Sequence, residues 1–319
     1  MIRIGLLGAA AIAPHAIIDP CKSRADARAY AIAARDQRRA RDFAAQHALP
    51  IVAASYSELI ARPDIDLIYN ALPVSEHARW TIAALQAGKA VLCEKPLAAN
   101  AADVDSMFAA SASANQPLWE ALHYRHHPNM QELQRWWREG ALGAPRKIIA
   151  RLHQNIERHE HEIRWRAELG GGALWDLGVY LVHVLRFLQG DDWTVVDASA
   201  QYARGVDAAT SAQLRHSSGV EAVISCSMID PNYDCSLQLV GSTGQLRFDS
   251  YVAPQWGGRL TITRDGVSRE CPLNLRPTFA WQLNFVLPKI HAPPDPAEAA
   301  DSTANMRLME AIARRAKRQ

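Results

Sequence analysis

Short apolar runs alternate with stretches of helical spacing through the first 121 residues, and no other property of the chain limits its fold as much. The runs are Ile2–Leu7, Ala29–Ala34, Leu67–Asn70, Ala90–Cys93 and Leu118–Ala121. Between them lie helical segments at Ile12–Cys21, Asp36–His47, Ser55–Ala61, Ser75–Ala87 and 100–115. Asn100, followed three residues later by Asp103, suits a helix N-terminus. Strands separated by single helices run parallel and connect through right-handed crossovers. Residues 1–122 are therefore predicted to form an α/β domain on a doubly wound parallel sheet.

The first strand leads into a nucleotide site. Ile2–Leu7 runs into Gly8-Ala9-Ala10-Ala11-Ile12-Ala13, which supplies the strand, tight turn and helix that a dinucleotide fingerprint requires. The fingerprint is reduced to Gly8-x-Ala10-x-x-Ala13. One methyl group at each later position still lets backbone amides and a helix N-terminus approach a pyrophosphate. Gly8, Ala10, Ala11 and Ile12 are assigned to cofactor binding on that ground. Ala34 falls 21 residues after Ala13, near where a carboxylate would hold an adenosine ribose. Arg35 follows it, with Arg38 and Arg39 a turn later. A carboxylate repels a 2′-phosphate, whereas a guanidinium binds one through two parallel hydrogen bonds. NADP is expected in preference to NAD, with Arg35 and Arg39 at the phosphate.

A second feature sits at the end of a later strand. Ala90–Cys93 runs into Glu94-Lys95-Pro96-Leu97, where the proline supplies no backbone donor and stops the ladder. Ligands of open α/β sheets sit at the carboxyl ends of strands. Lys95 is thus a candidate acid, base or anion clamp, with Glu94 beside it. Asn70-Ala71-Leu72-Pro73 ends another strand on the same edge, and His77 lies one helical turn on. Leu72, Pro73 and His77 are accordingly placed at the same crevice.

Beyond Glu120 the pattern changes. Arg146–Gln154 reads as a strand and Trp175–Leu188 as a largely apolar helix. Strands of period two follow, with Val220, Ala222, Ile224, Cys226 and Met228 on one face. Asp265-Gly266 between two apolar-polar runs is a hairpin signal, and helices near Phe279–Ile290 and Asp301–Arg315 close the chain. Residues 123–319 are predicted to form an α+β domain on a mostly antiparallel open sheet. Its most informative stretch is Gly170-Gly171-Gly172 followed by a helix carrying Asp176 and Tyr180 four residues apart, on one face. Polar groups on an otherwise apolar helix must find partners or face a cavity.

Composition excludes several classes. Lys plus Arg total 35 against 33 for Asp plus Glu, a net charge of +2 and too balanced for a nucleic-acid footprint. The densest basic cluster, Arg314, Arg315, Lys317 and Arg318, closes a C-terminal helix whose dipole favours cations. The five cysteines (Cys21, Cys93, Cys226, Cys235, Cys271) are scattered without C-x-x-C spacing, so reduced thiols, a cytoplasmic setting and no metal site are expected. A strand beginning at Ile2 leaves no room for a signal peptide. The most apolar stretch, Ala173–Leu188, is interrupted by Asp176, His183 and Arg186, so no membrane span is expected.

Four segments in order carry a resemblance: Gly8-x-Ala10-x-x-Ala13, Cys93-Glu94-Lys95-Pro96-Leu97, Glu120-Ala121-Leu122-His123-Tyr124-Arg125-His126-His127-Pro128, and Gly170 to Tyr180. Over essentially its whole length the chain resembles the Gfo/Idh/MocA family of nicotinamide-dependent oxidoreductases. The resemblance implies an N-terminal Rossmann domain and a C-terminal domain whose open sheet forms a homodimer or higher oligomer. It implies that Lys95 is the catalytic lysine and that Asp176 orients substrate. Tyr180 stands where many members carry histidine. The chain is similar in this to the branch that includes dimeric dihydrodiol dehydrogenases and aldose dehydrogenases. Tyr180 is assigned the hydroxyl proton, Tyr124 a substrate contact, and Trp165 and Arg166 a place at the nicotinamide. The activity implied is NADP-dependent hydride transfer to or from a sugar, polyol or cyclic diol. Two other readings stay open: a glycoside hydrolase that uses tightly bound NAD in a transient oxidation, and a non-catalytic NADP-binding sensor.

Overall fold

The structure is a computed structural model that describes residues 1–316. It comprises two compact units, Met1–Leu122 with Phe279–Thr303, and His123–Thr278 with the segment from Ala304 onward. Residues 123–319 thus do not form one unit as the sequence suggests, because Phe279–Thr303 belongs to the first. An apolar stripe accounts for the difference. Phe279, Leu283, Val286 and Leu287 are buried in the same core as Ile4, Leu6, Tyr69 and Leu92. Each such side chain removed from water stabilises the unit by roughly 1.5–3 kcal/mol.

The first unit is built on a six-stranded parallel sheet in the order β3-β2-β1-β4-β5-β6. Its strands are β1 (Ile2–Leu7), β2 (Ala27–Ala33), β3 (Ile51–Val52), β4 (Leu67–Asn70), β5 (Ala90–Cys93) and β6 (Leu118–Glu120). The helices between them are α1 (Asp19–Lys22), entered through a π-helical turn at Pro14–Ile18, α2 (Gln37–His47), α3 (Tyr56–Ala61), α4 (Val74–Gln86) and α5 (Ala101–Ala114). Asp36, Ser55 and Asn100 cap α2, α3 and α5 by accepting backbone N–H bonds. Every residue of β4 and β5 is buried, as expected of parallel strands covered on both faces. The strand order reverses between β1 and β4, and a crevice opens at such a switch point. Gly8 and Ala71 flank it.

The second unit holds α6 (Pro128–Arg138) and an eight-stranded sheet in the order β14-β13-β12-β11-β7-β10-β9-β8. Its strands are β7 (Pro145–Asn155), β8 (Trp193–Ala203), β9 (Val206–His216), β10 (Glu221–Ser227), β11 (Ile229–Gly241), β12 (Gln245–Asp249), β13 (Arg259–Arg264) and β14 (Val267–Cys271). All neighbours pair antiparallel except β7 and β10, which run parallel. Between β7 and β8 comes a π-helical turn, Leu174–Gly178, leading into α7 (Val179–Gln189). Val179 to Arg186 are all buried, as are Ala222, Ile224 and Cys226 on the facing side of β10. The run Ala167–Gln189 is long and apolar enough to cross a membrane, but 78% of its most apolar window is buried in the protein, as in a core helix. Asp265 and Gly266 both have positive φ (51° and 75°) in the β13–β14 hairpin, the geometry of a type I′ turn.

Helices α8 (Thr278–Val286) and α9 (Pro296–Ala316) close the described chain. In the expected basic cluster Arg314 pairs with Glu310 and Arg315 donates to the Val196 carbonyl. Lys317 and Arg318 lie outside the described residues.

Candidate active site

The turn after β1 needs a glycine first. Gly8 has φ +95°, and a Cβ there would stand 3.1 Å from the Ala71 carbonyl oxygen. Ala13 is fully buried, so its methyl group packs the following helix against the sheet. A cleft of about 630 Å³ opens beside this turn, lined by Ala9, Ala11, Asp36, Arg38, Arg39 and His47 among others. Arg39 spans it, donating from Nη2 to the Ala9 carbonyl at 2.8 Å. Asp36 faces the same space, but its carboxylate is spent on the Arg38 and Arg39 amides, which hold its pKa below the usual carboxylate value. Arg35 is exposed, binds the Tyr56 hydroxyl through its backbone N–H and is not among the lining residues. Arg38 and Arg39, which follow the expected Arg35 in sequence, are the arginines that line the cleft.

Lys95 follows β5, and its peptide bond to Pro96 is cis. His77 Nδ1 lies 3.0 Å from the Pro96 carbonyl oxygen, and Nε2 lies 2.8 Å from that of Leu72. Glu120 accepts the Leu97 N–H at 3.0 Å through one carboxylate oxygen and the Ser302 hydroxyl at 2.8 Å through the other. Asn70 accepts the Leu72 N–H and donates to Thr81 and to the His77 carbonyl. Glu94 accepts the Tyr69 hydroxyl at 2.5 Å. The His77 ring is 1% exposed with its two nitrogens facing backbone carbonyls, a geometry that braces the ends of β4 and β5. Burial lowers its pKa below the ordinary histidine value, outweighing the two carbonyls that favour the charged ring.

In the second unit the three glycines bring two backbone segments together. A Cβ on Gly171 would lie 2.5 Å from the Arg164 carbonyl oxygen, and one on Gly172, at φ +131°, would overlap the Asp207 carboxylate. Asp207 accepts the Leu174 N–H at 2.7 Å and the Thr210 hydroxyl at 2.8 Å, fixing the start of the helical run. Arg164 is thereby held beside Asp176, donating to it from Nε at 2.8 Å and from Nη1 to Glu162 at 3.0 Å. The Asp176 carboxylate is the main cause of a raised Arg164 pKa. The π-helical turn holds Asp176, and such turns recur at functional sites.

Tyr180 opens α7, 8% exposed, with its hydroxyl 3.4 Å from His123 Nε2. Tyr124 is fully buried and its hydroxyl lies 2.6 Å from His183 Nδ1. Its ring meets those of Tyr180 and Tyr251 edge to face. Tyr124, expected at the substrate, packs against Tyr180. Trp165 is buried, with its indole N–H on the Ile156 carbonyl at 3.1 Å, while Arg166 is exposed and paired with Glu168 at 2.7 Å. Both thus hold their own loop, and their expected place at the nicotinamide gains nothing from this geometry. Among the described residues no group of three or more His, Cys, Asp or Glu is arranged to hold a metal ion.

The first unit therefore gathers Gly8, Ala10, Ala11, Ile12, Arg39, Leu72, Pro73, Glu94 and Lys95 along the carboxyl edge of its sheet. In the sequence Arg38 was named beside Arg35 and Arg39, and Arg164 lies in the segment that resembles a border of the nicotinamide, but no role was given to Glu120 or His123. Glu120 and His123 lay in a recognised segment, but their partners Ser302 and Tyr180 are 182 and 57 residues away.

Residues 2–122 match the oxidoreductase family with an NAD-binding Rossmann fold, GFO_IDH_MocA, and residues 130–247 match a GFO/IDH/MocA C-terminal domain. A dTDP-3,4-didehydro-2,6-dideoxy-alpha-D-glucose 3-reductase from Saccharopolyspora spinosa is 33% identical, covering 98% of this chain and 96% of that protein. A trans-1,2-dihydrobenzene-1,2-diol dehydrogenase from Bos taurus is 31% identical, covering 82% of this chain and 76% of that one. The solved structure of KijD10, a 3-ketoreductase from Actinomadura kijaniata in complex with NADP and TDP-benzene, matches with a TM-score of 0.92 at 27% identity. It covers 98% of this chain and 97% of that one.

Proposed function

Because the chain belongs to the GFO/IDH/MocA family of oxidoreductases, we propose that it transfers hydride between NADP and a sugar or cyclic diol, interconverting an alcohol and a carbonyl. The observation that carries this reading is Lys95 at the carboxyl edge of the first sheet, on a backbone that His77 and Glu120 hold in place. Gly8 leaves the space a pyrophosphate needs, and a cleft with two arginines fits a 2′-phosphorylated adenosine. Bound there, NADP supplies the hydride acceptor or donor.

The chain's own side chains manage binding and the proton. Lys95 brings positive charge to an oxygen as it becomes an alkoxide. Tyr180 exchanges the hydroxyl proton; a phenol ionises near ~10 when unperturbed, so it needs a partner to work at neutral pH. Asp176, held by Arg164, orients a substrate hydroxyl. Nucleotide-linked keto-deoxysugars and trans-dihydrodiols are the first substrates to try, since those relatives act on them. A screen of these and of aldoses, followed by nicotinamide absorbance, tests the reading. Turnover with none of them would count against it. Release of a glycone without net absorbance change would favour the hydrolytic alternative.

All five cysteines are free thiols, which supports a cytoplasmic setting. The second sheet leaves Val196, Tyr202 and Tyr233 exposed, which supports a homodimer or higher oligomer through that unit. Sedimentation showing only a monomer at micromolar protein would exclude it.

A further inference from the structure

The buried cluster beside Tyr180 holds a group that the reading above leaves unused. We propose that His123 is the positioning residue of Tyr180, taking up the phenolic proton through Nε2 while Thr278 pins the other side of its ring. The inference rests on Tyr180 being the proton-exchanging residue. His123 is 5% exposed, with Nε2 at 3.4 Å from the Tyr180 hydroxyl and Nδ1 at 2.8 Å from Thr278 Oγ1. Thr278 is fully buried, so this second contact lies out of reach of solvent. Gln255 approaches the same Oγ1 at 3.5 Å.

A neutral imidazole offers one N–H and one lone pair, and its two neighbours decide which nitrogen carries which. A phenol is a far stronger acid than an alkyl alcohol, so the lone pair goes to the Tyr180 hydroxyl. The N–H then sits on Nδ1 and donates to Thr278. In that tautomer Tyr180 need not be ionised beforehand. During oxidation the substrate hydroxyl proton moves onto the Tyr180 oxygen while the Tyr180 proton moves onto His123 Nε2. The C–H electron pair leaves as the hydride that NADP takes up, and C–O becomes C=O. The imidazolium so formed keeps one N–H on Tyr180 and one on Thr278, and reduction reverses each transfer. Hydrogen bonds of this kind are commonly long without ligand and tighten in the reacting complex.

Four variants and one spectrum test this. The long-range ¹H–¹⁵N histidine spectrum of the cofactor-free protein, assigned by the signal lost in His123→Gln, should show His123 as the Nδ1–H tautomer. An Nε2–H tautomer would overturn the proposal, and that readout does not depend on turnover. His123→Asn keeps a partner for Thr278 but withdraws from Tyr180; kcat should fall about 10²-fold with KM changed less than about threefold. His123→Gln restores a polar atom near Tyr180 without a basic lone pair and should recover only about tenfold. Thr278→Val should lower kcat and mix the tautomers, which keeps a kinetic test if His123→Asn does not fold. Full kcat in a folded His123→Asn beside an inactive Tyr180→Phe would refute the role of His123 alone. A fully active Tyr180→Phe would instead remove the reading on which it rests.

Discussion

His77 Nδ1 lies 3.0 Å from the carbonyl oxygen of Pro96, so a ring in the first turn of α4 holds the backbone that carries Lys95. Burial lowers the pKa of this ring below its ordinary value, and the sign of the pH effect follows. Below about pH 6.5 the unfolded chain binds a proton at residue 77 that the folded chain does not, so stability falls as pH drops through that range and is retained above it. His127, also lowered by burial, contributes with the same sign. His77→Gln should flatten part of the pH dependence of urea unfolding and cost about 1–3 kcal/mol at neutral pH. An unchanged slope between roughly pH 5 and 7 would show that His77 is not the titrating group.

Lys95→Met and Tyr180→Phe keep approximate volume and should each lower kcat by roughly 10²–10⁴-fold while leaving melting temperature and NADP affinity near those of the parent. If both serve one proton, the double variant should be little slower than the slower single one. Additive losses would assign them to separate steps.

Cofactor choice should reside in α2. Arg39→Ala should weaken NADP by about 10- to 100-fold and NAD far less, because a charge-assisted phosphate contact is worth about 1.5–3 kcal/mol. Arg38→Ala should act in the same direction. Arg35→Ala, outside the cleft, should have the smallest effect. Calorimetric titration showing equal losses for both cofactors would exclude a phosphate contact.

Gly172→Ala should be the most damaging of the three glycine replacements. It would place a methyl group on the Asp207 carboxylate at φ +131°. We expect a loss of about 1–3 kcal/mol from backbone strain alone, read as a lower melting temperature. Gly170, at φ 81° in the left-handed region that asparagine also adopts, should tolerate asparagine better.

Asp176→Asn should raise KM more than it lowers kcat. The variant still accepts from Arg164, which also retains Glu162. A large fall in kcat with unchanged KM would move Asp176 from orienting substrate to the proton transfer itself.

The alternating runs of the first 121 residues, the Asn100 cap, the Asp265-Gly266 hairpin and the period-two strand at 220–228 were all legible in the sequence. Each depends on interactions between residues close in the chain, and local spacing records those. β3 escaped because two residues are too few to show a period. The edge of the sheet on which Lys95 sits was legible too, because strand direction follows from the connections. The sequence could not place Phe279–Thr303 in the first unit, since burial against Ile4 and Tyr69 is a contact across nearly the whole chain. Nor could it tell that both ring nitrogens of His77 face backbone carbonyls, that Arg38 lines the cleft, or that Tyr180 meets His123. Those facts concern where a side chain ends and what it displaces from water, and only the packed tertiary structure sets them.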